Sequence, residues 1–230
     1  MAGMARVLSG IDGLDALLPG GLNERSSVIL AGGPGTGKTL LAFEFLYRGA
    51  QAGETGIYIS LKENPEALLA SVLSVFSEWS DLTELISQKR IFAVQPDKPD
   101  LLSIVDILQR YQSKHEIRRV VIDSASVLQA HSRDAAEFYQ AFEQFLKLLS
   151  GTDVIVWFLL DRPTVERSGL ETGFEEAAVD GVINLYNLDR NDKRVRALEV
   201  FKMRGVQHST DLTPFRVTAS GVSLFIGEKV

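Results

Sequence analysis

The stretch GGPGTGKT, residues 32–39, decides how the rest of this chain is read. Gly32, Gly37, Lys38 and Thr39 meet the spacing G-x-x-x-x-G-K-[ST]. Glycines let the backbone fold tightly, so that its N–H groups converge on phosphate oxygens. An apolar strand, Ser27–Ala31, precedes the loop, and a helix from about Lys38 to Ala50 follows it. The positive end of that helix faces the same point. A glycine-rich turn with an incidental lysine lacks this strand-loop-helix setting. Gly33, Pro34, Gly35, Thr36, Gly37, Lys38, Thr39 and Leu40 are therefore expected to bind a nucleoside triphosphate. Lys38 should reach the β- and γ-phosphates, and the Thr39 hydroxyl should ligate Mg2+.

A magnesium site of this kind needs a carboxylate that holds the ion through water. Asp123 ends the apolar run Val120-Val121-Ile122, and it is expected to fill that role on a strand beside the P-loop strand. A turn cap supported by Ser124 is the competing use of the same aspartate. Further along, short apolar strands alternate with amphipathic helices. The strand Gly56–Ser60 leads to a helix opened by Asn64-Pro65. Helices are also expected over Asp100–Lys114 and Asp134–Ser150, and a strand over Thr152–Leu160. Phe138, Phe142, Phe145, Leu146 and Leu149 share one helical face and read as core. Residues 161–173 read as a loop. From about Gly181 only strands follow: Val182–Tyr186, Ala197–Met203, Phe215–Thr218 and Val222–Ile226. The pattern predicts one α/β domain over residues 1–230. It has a mostly parallel twisted sheet flanked by helices and a C-terminal antiparallel strand extension.

Composition narrows the chemistry. The 230 residues include no cysteine, which removes disulfides, thiolate catalysis and cysteine-ligated zinc. The three histidines, at 115, 131 and 208, show no metal-ligand spacing. A formal net charge of −6 argues against a DNA-binding surface. The local clusters Arg118-Arg119 and Lys193, Arg194, Arg196 read as solvated strand edges. The longest apolar run, Val154–Leu160, is too short to span a bilayer. With no hydrophobic core in MAGMARVLSG, a cytoplasmic location is expected.

Several segments together resemble the KaiC-like branch of the RecA superfamily of P-loop ATPases. They are Ser9–Asp15 (SGIDGLD), the P-loop itself, Tyr58–Glu63 (YISLKE), Val120–Ser126 (VVIDSAS), Val179–Ile183 (VDGVI), and Lys202–Gly205 (KMRG) with His208. The resemblance spans nearly the whole chain, as a single domain. It implies a RecA-like fold, ATP and Mg2+ as ligands, and a homo-hexamer or other homo-oligomer with ATP between subunits. It further implies that Lys202 and Arg204, joined by His208, reach the γ-phosphate of a neighbouring subunit. Such cations neutralise charge developing on the phosphoryl group. Strand alternation puts Lys202 and Arg204 on one side.

The sequence departs from that pattern where hydrolysis is catalysed. The family places a pair of glutamates at the end of the second core strand, and here the pair is Lys62 and Glu63. An ammonium beside phosphates stays charged and accepts no proton, which leaves Glu63 as the candidate base. Leu159 and Leu160 stand where the family often has hydroxyl residues, followed by Asp161. The expectation is an ATP–Mg2+-binding regulatory or signalling protein with slow or impaired hydrolysis and an unnamed protein partner. An active slow ATPase is the first alternative. A recombinase-like DNA-binding ATPase is the second; it would use residues 161–173 with Arg118, Arg119 or Lys193–Arg196. An autophosphorylating kinase is a third, with no identifiable phosphoacceptor.

Overall fold

The computed structural model describes residues 5–162, 174–190 and 193–230, with 174 and 175 described by backbone alone. The elements begin with β1 (Arg6–Val7), α1 (Leu14–Leu17), β2 (Leu22–Asn23), β3 (Ser27–Gly32), α2 (Lys38–Gln51) and β4 (Thr55–Ser60). Next come α3 (Pro65–Val75), α4 (Leu82–Ser87), β5 (Ile91–Val94), α5 (Leu101–Gln112), β6 (Ile117–Asp123), α6 (Ala125–His131) and α7 (Ala135–Ser150). The chain ends with β7 (Ile155–Asp161), α8 (Phe174–Ala178), β8 (Gly181–Arg190), β9 (Lys193–Met203), β10 (Thr213–Thr218) and β11 (Gly221–Leu224).

A nine-stranded sheet runs in the order β11-β10-β9-β8-β3-β7-β6-β4-β5. From β8 to β5 every pairing is parallel, and from β8 to β11 every pairing is antiparallel. The expected parallel core with an antiparallel extension is thus present. β3 is buried at all six positions because parallel strands flank it on both sides.

Side-chain alternation along the strands feeds two cores. Val28, Leu30, Tyr58, Val121, Trp157 and Leu159 pack on one face with α1, α2, α3 and α4. Ile29, Ala31, Ile57, Ile59, Val120, Ile122, Val156 and Phe158 pack on the other with α5, α6 and α7. Phe138, Phe142, Phe145 and Leu149 of α7 are buried there, as their spacing predicts. The helix starts follow from capping. Asn64, Asp100 and Asp134 each accept the backbone N–H three residues on, at 2.8 Å, at the heads of α3, α5 and α7.

Three expectations need correction. β6 does not lie beside the P-loop strand, because β7 stands between them. Sequence spacing does not encode strand order, and the helices α6 and α7 allow β7 to return to either side. The ladder of β8 and β9 also extends past its apolar parts, out to the pair Arg190 and Lys193. The third correction concerns Arg119, which is not at a solvated edge. It is buried beneath the N-terminal segment and donates to the carbonyls of Ser9 at 2.9 Å, Phe45 at 2.7 Å and Leu8 at 2.9 Å. Its Nε also pairs with Glu54. The short elements β1, β2, α1, α4, β5, α6 and α8 carry too few residues for a periodic signal. Past Arg162, the expected 161–173 loop lies outside the described residues.

Candidate functional site at the ends of the parallel strands

In a parallel sheet all C-terminal ends fall at one edge, and ligands bind in the crevice there. Here that edge gathers the P-loop after β3, Lys62 and Glu63 after β4, Asp123 at the end of β6 and Asp161 at the end of β7. Register brings them level: Gly32 is opposite Asp161, and Ser60 is opposite Asp123.

The loop itself has the backbone its glycines imply. Gly35 and Gly37 adopt φ of 75° and 98°, in the left-handed region. At Gly32 the constraint is close approach instead, since a Cβ would lie 2.7 Å from the Leu185 carbonyl oxygen. α2 starts at Gly37 with no side-chain cap, unlike α3, α5 and α7. Its first-turn N–H groups are therefore directed at the crevice without a side-chain acceptor. The Thr36 hydroxyl donates to Gly33 O at 2.8 Å and tightens the turn. Pro34 and Gly35 are exposed, while Thr39 and Leu40 are half-buried at the crevice wall.

Lys38 is buried and donates to the carbonyls of Gly32 at 2.8 Å and Gly33 at 3.0 Å. It also lies 3.2 Å from one carboxylate oxygen of Asp161. The other oxygen of Asp161 pairs with Lys62. The lysine that removes the expected base is thus held across the site by a carboxylate.

Asp123 is nearly buried, and its Oδ2 accepts from Thr39 Oγ1 at 3.1 Å and from the Tyr58 hydroxyl at 2.6 Å. Its Oδ1 lies 3.7 Å from Lys62 Nζ. The Tyr58 hydroxyl is pushed well above its ordinary pKa, first by burial and then by the Asp123 charge beside it. It therefore remains a donor and aims Asp123 at Thr39. A hydroxyl next to a carboxylate suits Mg2+, which takes few protein ligands and keeps phosphate and water for the rest. Among the described residues no cluster of three or more His, Asp or Glu could hold a metal alone. The donor set thus fits a nucleotide-borne magnesium and not an all-protein cage.

Glu63 is half-buried, its backbone N–H donates to Ser60 Oγ at 3.1 Å, and its charge contributes to raising Tyr58. Lys202 and Arg204 sit elsewhere. Lys202 donates to the carbonyls of Glu176 at 2.9 Å and Val179 at 2.8 Å, and Arg204 donates to Ala177 O at 2.6 Å. Both cap the end of α8 in their own chain and make no described contact with their own P-loop. Burial and then neighbouring Arg204 lower the Lys202 pKa. His208 lies 3.1 Å from the Ser209 carbonyl through Nδ1.

In the sequence Tyr58 is only part of a strand; its contact with Asp123 depends on strand order and has no local signature. In the sequence Arg196 reads as part of a basic edge. Its Nε donates to Gly35 O of the P-loop at 3.3 Å, beside a cleft of about 710 Å³ lined also by Lys193, Arg216 and Phe225. Arg194 instead pairs with Asp189 at 3.3 Å, so the basic run divides between two tasks.

Asp161 offers a test of the ion network. Burial pushes its carboxyl up, but hydrogen bonds from Lys62 and Lys38 outweigh that and hold it below the usual range. A carboxyl lowered on folding gives stability that is complete above its unfolded pKa of about 3.9 and lost as pH falls through the lowered value. Asp161→Asn should therefore be less stable than the parent at neutral pH, with the gap closing as the medium approaches pH 3. Urea midpoints measured across that range check this. A gap independent of pH contradicts the network.

Comparisons with known proteins agree with this geometry. A family model described as "ATPase: KaiC" matches residues 7–229. The chain is 33% identical to a UPF0273 protein of Thermotoga maritima, covering 97% of each. It is 29% identical to the circadian clock oscillator protein KaiC of Synechococcus elongatus, over 96% of this chain and 44% of that one. The solved structure of a KaiC-like protein from Pyrococcus horikoshii superposes with a TM-score of 0.85 at 28% identity, covering 96% of this chain and 99% of the other. With the phosphate loop in place and the match running almost end to end, the chain belongs to the KaiC family of ATPases and is a nucleotide-binding protein.

Proposed function

We propose that this chain binds ATP with Mg2+, hydrolyses it slowly or not at all, and acts as a nucleotide-dependent regulatory module. The observation that carries this reading is the pairing of Lys62 with Asp161 at the mouth of the phosphate site. Hydrolysis needs an acceptor for the proton of the attacking water. A charged ammonium next to the expected γ-phosphate position accepts nothing. Thr39 would hold Mg2+ directly and Asp123 through water, with Tyr58 fixing the Asp123 rotamer. The ion supplies charge neutralisation between the phosphates. The P-loop amides and Lys38 would bind the phosphates, and the cleft beside Arg196 has room for the nucleoside.

Lys202 and Arg204 support an assembly in which each site is completed by a neighbouring copy. Lys202, near the end of β9, and Arg204, just past it, stand away from their own P-loop: β9 is two strands from β3, and Lys202 is level with the first half of β3. Among the described residues no helix is long and apolar enough to cross a membrane. Arg119 is taken up inside the fold, which weakens a DNA-binding role. One observation favours an active slow ATPase instead: Glu63 is half-buried just past the end of β4, where its backbone N–H is held by Ser60 Oγ at 3.1 Å.

Phosphate release and solution mass, followed on one sample with and without ATP–Mg2+, test both parts. The proposal expects turnover well below about 1 s⁻¹ and an oligomer in the presence of nucleotide. Turnover at or above that level, abolished by Glu63→Gln, establishes Glu63 as the base and overturns slow hydrolysis. A monomer in both conditions removes the role of Lys202 and Arg204 in trans.

A further inference from the structure

The site has an unusual charge arrangement for a magnesium nucleotide. Two ammoniums, Lys38 and Lys62, grip the two oxygens of one carboxylate, Asp161. The second of them also stands 3.7 Å from Asp123, the carboxylate that would face the metal. Lys38 and Lys62 thus have an anion between them at the place where the P-loop begins. Gly32 pairs with Asp161 in register, and the N–H of Arg162 donates to Gly32 O at 3.0 Å. Lys62 remains on the solvent side, at 40% side-chain exposure, so a ligand entering the crevice can reach it. The Lys38 side chain is 9% exposed, and its ammonium is already anchored to two carbonyls. Of the two, Lys62 is the one with freedom to change partners.

We propose that Lys62 is a phosphate ligand: its ammonium exchanges Asp161 for the terminal phosphate of a nucleoside triphosphate and shares charge neutralisation with Mg2+. Asp161 holds the two lysines apart at the spacing an anion requires. A phosphoryl group offers more charge and more acceptor oxygens than the carboxylate, and its bonds to ammonium are charge-assisted. Without a divalent ion the triphosphate is about two charges more negative, so a tethered cation matters most there. Binding of the triphosphate should therefore depend only weakly on magnesium. A diphosphate does not extend to Lys62 and should keep the ordinary dependence. This inference rests on the nucleotide-binding reading above and deepens it, by assigning the lysine that reading treats only as the loss of a base.

Calorimetric titration with ATP and with ADP, each in excess Mg2+ and in EDTA, tests it. For the wild-type chain, ATP affinity is expected to fall less than about tenfold on removing Mg2+, an electrostatic difference of about 1.4 kcal/mol. Lys62→Met keeps the aliphatic stem and removes the charge. Its EDTA penalty for ATP should exceed that of the wild type by about tenfold or more, with little change for ADP. A second variant, Lys62→Arg, keeps the charge and should retain most of the tolerance to EDTA. Equal penalties in wild type and Lys62→Met, or the same change for ADP as for ATP, overturn the proposal. Absence of ATP binding by the wild type in excess Mg2+ is a separate result, and it removes the nucleotide reading itself.

Discussion

Lys38→Ala is expected to lower ATP affinity by about 100-fold or more, a loss near 2.7 kcal/mol. The lysine is buried at the head of α2 and has three oxygen neighbours, from Gly32, Gly33 and Asp161. Two of these are loop carbonyls, so the ammonium also holds the loop in its tight turn. Hydrogen bonds to charged groups contribute about 1.5–3 kcal/mol each. Alanine removes such bonds to the phosphates together with the cation opposing Asp161. The remaining Lys62 then faces two carboxylates and a polyphosphate. Titration of the variant with ATP in excess Mg2+ measures the loss. A thermal unfolding curve recorded beside it shows whether α2 is intact. Binding within threefold of the wild type, in a folded variant, contradicts the assignment of the loop.

Arg119→Ala is expected to cost about 3–5 kcal/mol of folding stability. Its guanidinium is buried and donates to three carbonyls from two chain segments, the N-terminal segment and α2, besides pairing with Glu54. It also stacks over the Phe45 ring, 4.5 Å from the centroid. Burial pushes its pKa down and Glu54 pushes it back up. An arginine nonetheless remains protonated in proteins. Truncation leaves the carbonyls of Leu8, Ser9 and Phe45 without their donor and loosens the N-terminal segment from α2. The fork geometry matters as much as the charge, so Arg119→Lys should recover only part of the loss. Urea unfolding of the parent and both variants gives the comparison. A change below about 1 kcal/mol for Arg119→Ala would mean that the N-terminal segment is held chiefly by its other anchors, Ile11 and Leu14 in the core and the pairing of β1 with β2.

The two variants separate what was legible from what was not. Lys38 is readable because its chemistry is local: the loop, its glycines and the helix start lie within one short stretch. Asp123 is readable for a similar reason, as an acid closing an apolar run. The helix caps at Asn64, Asp100 and Asp134 and the buried face of α7 also follow from neighbours along the chain. Arg119 sits beside Arg118 in an equally plain run, yet one is buried and the other lies 3.8 Å from Asp153 near the surface. Nothing local distinguishes them. Lys62 shows the same limit at the site. Its identity announces a missing base, but its partner Asp161 belongs to a strand whose place depends on β7 lying between β3 and β6.

The sequence by itself determined the α/β class and the phosphate loop, and it set an acid at the end of one apolar run and a lysine just past another. Each of these is a property of spacing or residue type within a single element. Only the tertiary structure decided that Tyr58 orients Asp123, that Asp161 is shared by two lysines, and that Arg196 touches the loop. The physical reason is that charge pairing depends on distance and on exclusion of water. Both are set by strand order and by which helices cover each face, and neither is written in the spacing of residues along the chain.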